Sequence, residues 1–338
     1  MKCYCLLVML VFAGLLVRAQ DLHYSQYMAS PLNLNPALAG SFDGDFRISA
    51  NQRTQWASVT MPYKTMTGAF DMRLLGHAEK RGMLCAGVFV NQDQAGTSQL
   101  GLFQSNASLS YTLRLDAAAH HFFGAGMQGG FAQKSINYNN LIFDEQYNGD
   151  AQDLTLPSGE SFANSGFSYT DWNGGIHYAY RSSGRFRADA GAAYAHLNKP
   201  MQASFLSAQS SVLAPKLSLH GSLSIPFTSG TSIQPSLLYQ HQGAFSELLL
   251  GSDMQFDLEN KIGFNNNLFL GLHYRTTDAL IVLTGMTYNN IRVGVSYDIN
   301  TSGLKPASRS RGGFEFSIAY IFKKVSRLSD KKPCPTYL

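Results

Sequence analysis

The chain has 338 residues, a formal net charge of +4 at pH 7, and 14% charged and 12% aromatic residues. The length would allow two soluble domains of about 150 residues, but a soluble domain carries about 25% charged residues. A mean hydropathy of −0.11 disfavours a helical membrane protein, and the aromatic and apolar content excludes a disordered chain. The composition suits a protein with one polar and one apolar face.

Residues 1–19 have the features of a secretory signal peptide. Lys2 precedes an apolar run of 15 residues that ends at Val17, and Val17 and Ala19 stand at positions −3 and −1 of a cleavage site. A membrane-spanning helix needs about 20 apolar residues, so the run indicates an exported chain whose signal is removed. After cleavage two cysteines remain, Cys85 and Cys334, which either pair across the chain or stay apart.

Residues 20–44 form a non-strand segment rich in Asn, Gln, Tyr and Pro. Asn residues before a proline suit capped turns. Three interpretations stay open: a small plug in a barrel mouth, a surface for a periplasmic partner, or a lead-in to the first strand. Because aromatic residues are enriched at interface cores, we predict partner contact. The candidate contact residues are Tyr24, Gln26, Tyr27, Asn33, Asn35 and Pro36, with Arg53 and Trp56 just past the first strand.

From about Asp45 onward the dominant sequence period is two. Residues 291–299 alternate Ile, Val, Val, Tyr and Ile with Arg, Gly, Ser and Asp. Such alternation is typical of a strand with one apolar and one polar face. Counting these runs predicts fourteen strands, give or take two. They lie near residues 45–53, 64–75, 83–92, 98–114, 120–134, 172–182, 186–198, 214–227, 231–242, 245–258, 265–276, 279–288, 290–300 and 312–323.

The strand pattern predicts an all-β fold, a transmembrane antiparallel β-barrel over residues 45–323. The mature chain has no run of 18 apolar residues, and apart from helices only a closed barrel satisfies every backbone group in lipid. An even number of strands closes without a free edge and puts both ends on one side. We expect residues 20–44 and a basic C-terminal tail, residues 324–338, on the periplasmic side. A soluble β-sandwich or propeller is the alternative, and it would need a more charged surface.

Charge and loop length vary along the chain. Residues 305–338 carry a net charge of +6 and residues 20–304 a net charge of −4. The basic end suits a phosphate-rich surface or an acidic partner, and equally a solvated tail. The one long predicted loop covers residues 136–171, with Pro157, Gly159 and many Asn and Asp residues.

The sequence motifs that could indicate a cofactor, metal or catalytic site are not specific. The glycines of residues 124–129 spell G-x-G-x-x-G, but a dinucleotide site needs this pattern between a strand and a helix. Here it lies inside an alternating run, where glycines indicate bends or close packing. His177, His220 and His273 fall on polar strand faces, where ordinary lumen residues are favoured over metal ligands. We expect no cofactor, no metal and no enzyme activity; a Ser and a His assembled from different strands would be the enzymatic alternative.

Several segments resemble the PorP/SprF family of type IX secretion system membrane proteins. The mature start QDLHYSQYMASPLNLNPALAG resembles the opening of that family, and GGFEFSIAYIF at residues 312–322 resembles its closing strand. Asn51-Gln52-Arg53 with Gln55-Trp56 resembles its N-x-R-x-Q-W stretch, and Pro333-Cys334-Pro335 its Cys-Pro tail. The resemblance implies an outer-membrane barrel of Bacteroidota-type cells with no catalytic residue.

The resemblance also implies a function and partners. We expect a non-enzymatic outer-membrane barrel that is an accessory or anchoring component of type IX secretion and gliding motility, helping to export or attach large surface proteins. The implied partners are periplasmic ring and peptidoglycan-associated components, a secreted surface protein and outer-membrane lipid; nucleic acid is not expected. The alternative is a passive or substrate-specific transporter, which should have a continuous lumen.

Overall fold

Fourteen of the sixteen strands in the computed structural model form a closed antiparallel β-barrel, in which the first strand pairs with both the second and the last. The structure describes residues 21–55, 61–75, 81–153, 155–205, 210–258, 266–303 and 308–323. The predicted signal peptide, Trp56, Cys334 and the C-terminal tail lie outside these residues. Cys85 is buried. No helix within the described part of the chain is long and apolar enough to cross a membrane.

The barrel strands follow the chain order. They are β1 (Phe46–Gln55), β2 (Tyr63–Leu75), β3 (Gly82–Ala95), β4 (Leu100–Arg114), β5 (His121–Ser135), β6 (Gly166–Arg181), β7 (Arg187–Ala195), β10 (Lys216–Pro226), β11 (Thr231–Gln242), β12 (Phe245–Asp257), β13 (Asn267–Arg275), β14 (Ala279–Tyr288), β15 (Ile291–Asn300) and β16 (Arg311–Phe322). A separate two-stranded hairpin, β8 (Met201–Ala203) with β9 (Ser210–Val212), lies between β7 and β10.

The two faces of the wall differ as the sequence period predicts. Outward side chains are apolar and exposed, as at Leu270 (56%) and Val282 (46%), whereas inward ones are polar and buried, as at Asn91 (2%) and Ser110 (2%). Apolar-out, polar-in alternation is the pattern of a membrane barrel. The predicted transmembrane barrel is therefore confirmed, and the fold is neither a β-sandwich nor a propeller.

One predicted strand begins at the wrong residue. β6 begins at Gly166 instead of residue 172, so the loop before it covers residues 136–165. Near the start of this strand an aromatic side chain takes the inner side, where polar side chains are usual. Tyr169 is buried there and packs with Ala132 and Leu213. The start of β6 therefore lacks the apolar–polar alternation from which the strands were predicted, and its predicted start falls too late.

The barrel has two distinguishable ends. β1 begins and β16 ends at one of them, which we call the terminal end. The opposite end, which we call the loop end, carries residues 136–165 and residues 196–215. The longer loop contains two short 3-10 turns, Tyr138–Asn140 and Asp144–Gln146.

Candidate functional site

Residues 21–44, which we call the plug, run through the lumen along its length. Near the terminal end, Gly40 N donates to Asp71 Oδ2 at 2.8 Å. At the loop end, Asp21 N donates to the side-chain oxygen of Gln242, the last residue of β11, at 3.0 Å. The segment therefore lies within the barrel and reaches from one end to the other. Of the three interpretations left open by the sequence, the placement agrees with a plug.

The plug consists of tight turns because its sequence forbids a regular strand. A 3-10 turn at Tyr27–Ala29 is followed by a short helix α1 (Pro31–Leu34) and a second 3-10 turn, Pro36–Leu38. Each proline stands at the first position of its turn, where the missing N–H costs nothing. Asn35 is extended, as a residue before proline should be, and its Oδ1 accepts from Ala37 N at 2.9 Å.

Apolar side chains of the plug contact opposite sides of the wall. One cluster joins the plug to β11, β12 and β14, and another joins it to β3. The first cluster contains Tyr27, Leu34, Leu38, Leu238, Leu249 and Ile281, and the second contains Leu32, Ala39 and Phe89. A cavity of about 50 Å³ borders the plug on its polar side, enough for ordered water. The plug therefore spans the lumen from one side of the wall to the other.

Glycines of the wall make room for the middle of the plug. A Cβ on Gly126 would lie 2.6 Å from Ala37 N, and one on Gly175 would lie 2.1 Å from Asn35 Oδ1. In this space Asn35 Nδ2 donates to the carbonyl oxygens of Ile176 at 2.9 Å and of Ala192 at 3.3 Å. We call Gly126 and Gly175 the glycine cradle. This geometry agrees with the packing interpretation of the glycines at 124–129.

A buried charge cluster lies in the half of the lumen nearer the loop end. Arg53 and Arg275, 1% and 2% exposed, both donate to Asp298 Oδ2, at 3.0 and 3.1 Å. Ser25 of the plug joins them: its Oγ donates to Asp298 Oδ1 at 2.7 Å and accepts from Arg275 Nη2 at 2.7 Å. Buried charges are retained only where they are paired, so the plug completes a network that the wall begins.

Glu315 recognises the backbone of the plug. Its carboxylate oxygens accept from Ser25 N at 2.8 Å and from Gln26 N at 2.9 Å. The Gln26 side chain donates to Ser296 Oγ at 3.1 Å and accepts from Ser317 Oγ at 2.7 Å. Because both of its carboxyl oxygens accept from successive backbone N–H groups, Glu315 is a principal anchor of the plug.

Asp21 anchors the first residues of the plug at the loop end by its contact with His196. His196 is 2% exposed; its Nε2 lies 2.7 Å from Asp21 Oδ2 and its Nδ1 lies 2.9 Å from Asp171 Oδ1. Lys216 Nζ lies 3.1 Å from the same Asp21 oxygen. Burial alone would lower the pKa of His196, but the two carboxylates outweigh it and raise that pKa to about 9. Burial opposes ionisation of Asp21 too, yet Lys216 and His196 hold its pKa far below the usual range.

The histidines singled out by sequence do not form one site. The rings of His177 and His220 stack with centroids 6.1 Å apart, whereas His273 bonds Asp253 on another part of the wall, at 2.7 Å. Among the residues that the structure describes, no group of three or more His, Cys, Asp or Glu side chains is placed to hold a metal ion.

The predicted partner-contact residues are almost all inside the barrel. Asn33 is half-buried, and Trp56 lies outside the described residues. The buried ones are Tyr24, Gln26, Tyr27, Asn35, Pro36 and Arg53. A partner would reach these side chains only if the plug left the lumen, so partner contact through them stays a prediction.

Sequence reasoning missed Arg275, Asp298, Glu315 and His196 as contributors to this site. Their convergence depends on pairs of residues up to 290 positions apart. The available signal was a charged residue in the interior of an alternating strand, as at Glu315.

Comparisons with known proteins agree with this architecture. A family model described as type IX secretion system membrane protein PorP/SprF matches residues 16–320. A search of curated proteins found no match. Among solved structures, the toluene transporter TbuX of Ralstonia pickettii is similar with a TM-score of 0.51 and 13% identity, covering 86% of this chain and 92% of that chain.

Two further structures have a comparable likeness. The toluene transporter TodX of Pseudomonas putida has a TM-score of 0.51 and 10% identity, covering 89% of this chain and 94% of that one. The monoaromatic hydrocarbon channel CymD has a TM-score of 0.51 and 12% identity, covering 88% and 93%. At these identities the likeness shows a shared fold alone.

Proposed function

Because the chain belongs to the PorP/SprF family of type IX secretion system membrane proteins, we propose that it is an accessory or anchoring component of type IX protein secretion. In this role a non-enzymatic barrel, delivered to the outer membrane by a cleaved signal peptide, helps the export or surface attachment of large secreted proteins and supports gliding motility. Its partners would be periplasmic ring and peptidoglycan-associated components and a secreted surface protein.

The plug that crosses the lumen is the observation that carries this proposal. A passive channel needs a continuous path, whereas the plug contacts both β3 and the opposite strands β11, β12 and β14. A plugged barrel can still hold partners by its loops and its ends. The charged lumen side chains described above contact one another or the plug, which supports a structural role for them over a catalytic one.

The alternative function is a passive or substrate-specific transporter. It draws on the similar structures, which are those of toluene transporters and a monoaromatic hydrocarbon channel. The lumen would then have to open by movement of the plug, and the protein would have to pass solute on its own.

A pull-down separates the two functions. An affinity tag is inserted at Gly149, which lies in the exposed part of the long loop, and the protein is purified from solubilised outer membranes. We expect mass spectrometry to identify type IX secretion components, and planar bilayers containing the wild-type protein to show no steady conductance. Steady conductance without any secretion component would support the transporter and overturn our proposal.

The same pull-down tests the predicted partner contact of the plug. Residues 22–40 are deleted, with the signal and its cleavage site kept. Loss of the secretion components from an intact barrel would support contact through the plug. Retention of all of them would place partner contact on the loops or ends instead. The same tag in an unrelated outer-membrane barrel serves as the control for background capture.

A further inference from the structure

The hydrogen-bond ladder of the wall closes without the plug. β1 pairs with β2 on one side and β16 on the other along its whole length. The plug forms its own turns, in which Asn35 N donates to Pro31 O at 3.0 Å and Leu38 N donates to Asn35 O at 3.0 Å. Each plug–wall contact described above involves at least one side chain. The plug is therefore held as a ligand is held in a site, and not as a strand is held in a sheet.

The described covalent connection between plug and wall lies at the terminal end. Residues 41–45 lead directly into β1, where Asp45 N donates to Phe322 O at 2.8 Å. Asp43 in this connection is exposed and pairs with Lys323 at 2.5 Å. A cut at Asp43 would thus leave the plug bound only by non-covalent contacts.

Two features of the wall recognise the plug specifically. The Glu315 carboxylate accepts two successive backbone N–H groups, those of Ser25 and Gln26. About ten residues further on, the glycine cradle accepts the Asn35–Pro36 turn and leaves no room for a Cβ. Closely shaped pockets with a few well-placed polar groups are typical of binding sites.

The charges of the wall would mostly stay paired if the plug left. Arg53 and Arg275 keep Asp298, and Arg47 keeps Asp71, to which it donates at 2.9 and 2.8 Å. Glu315 is different, because it would lose both backbone donors. In an empty lumen water takes the place of these donors, and a peptide that presents two successive N–H groups competes with water for the same oxygens.

From these contacts we infer that the lumen is a polypeptide-binding site whose tethered ligand is the plug. The site accepts a free peptide of the same chemistry: two successive N–H groups for Glu315, followed by an Asn-Pro turn for the glycine cradle. This inference goes beyond the proposed function, because it concerns what the lumen binds whichever partners the barrel has.

Exchange of the plug in the full chain tests the inference. A site-specific protease sequence is inserted at Asp43, and the folded protein is cut in detergent. An excess of a labelled synthetic peptide of residues 21–40 is then added. We expect release of the native fragment and saturable uptake of the label after gel filtration. The uncut protein and a peptide of scrambled sequence should retain only background label.

A pair of substitutions identifies the site. Glu315→Gln should weaken uptake about tenfold or more, because it replaces one of the two acceptor oxygens with an NH2 group that faces a backbone N–H. Asp257→Asn is the matched control: Asp257 bonds Arg185 and Gln255 and, among the described residues, has no contact with the plug, so uptake should not change. A fragment that never exchanges, equal uptake of the scrambled peptide, or no effect of Glu315→Gln would each overturn the inference.

Discussion

His196 couples the position of the plug to pH. Its raised pKa means that the plug is stabilised fully below about pH 6.5, the pKa of a free imidazole. This contribution declines as pH rises and is lost above about 9. The depressed pKa of Asp21 adds stability above its usual pKa of about 3.9, which is lost as pH falls below that value. The plug should therefore be held most firmly between about pH 3.9 and 6.5.

Substitution of His196 should remove the alkaline part of this dependence. The part of the shift from 6.5 to about 9 that Asp21 causes depends on the plug, whereas the part that Asp171 causes belongs to the wall. In planar bilayers the wild-type protein should show brief openings that become more frequent between pH 6.5 and 9. His196→Gln should open more often at pH 6.5 and show little further change. An unchanged pH profile in His196→Gln would contradict this role.

Gly126 should be essential to the plug, unlike a glycine on the outer face. A valine at Gly126 would meet the backbone of Pro36 and Ala37 at 2.6 Å, whereas a Cβ on Gly68 meets nothing within 4 Å. Overpacking of this kind costs about 1–3 kcal/mol. Gly126→Val should expose Tyr24 and Tyr27 to chymotrypsin while the barrel stays heat-modifiable on gels. Gly68→Val should leave the plug protected, and equal cleavage of the two variants would refute the cradle.

At the level of elements, the strands could be predicted and the plug could not. A strand of a membrane barrel has a local cause, since alternate side chains meet lipid and lumen, and residues 291–300 carry that period in their own sequence. The plug depends on contacts such as Ser25 with Glu315, which are hundreds of residues apart. Its Asn-Pro turns were readable from sequence, but no local signal indicates what those turns pack against.

Two positions on β15 should fail in different ways when changed to arginine. Val293 faces outward, whereas Ser296 is buried in the lumen and accepts from Gln26. Val293→Arg puts a charge into lipid, which costs about 2–4 kcal/mol at the midplane, and should reduce the heat-modifiable barrel. Ser296→Arg should spare the barrel but displace Gln26 and expose the plug to protease. Loss of the barrel in both variants would contradict the assignment of faces.

At the level of the whole molecule, the barrel and its plug are separable bodies with different energetics. The wall is held by a continuous hydrogen-bonded ladder from β1 round to β16. The plug is held by side chains, many of them polar, on a lumen face that water can also satisfy. Such a design permits the plug to move without unfolding the wall, because the exposed lumen face remains wettable.

Deletion of residues 22–40 should therefore convert a closed barrel into an open one. Every barrel strand keeps both neighbours, so the variant should reach the membrane and shift in mobility on heating as the wild type does. The apolar and polar groups that block the lumen belong to the deleted segment, so planar bilayers should show steady conductance that is absent from the wild type. Adding the peptide of residues 21–40 should then block this conductance, since Glu315 and the glycine cradle remain in place. A deletion variant that never forms a barrel would show instead that the wall needs the plug in order to fold.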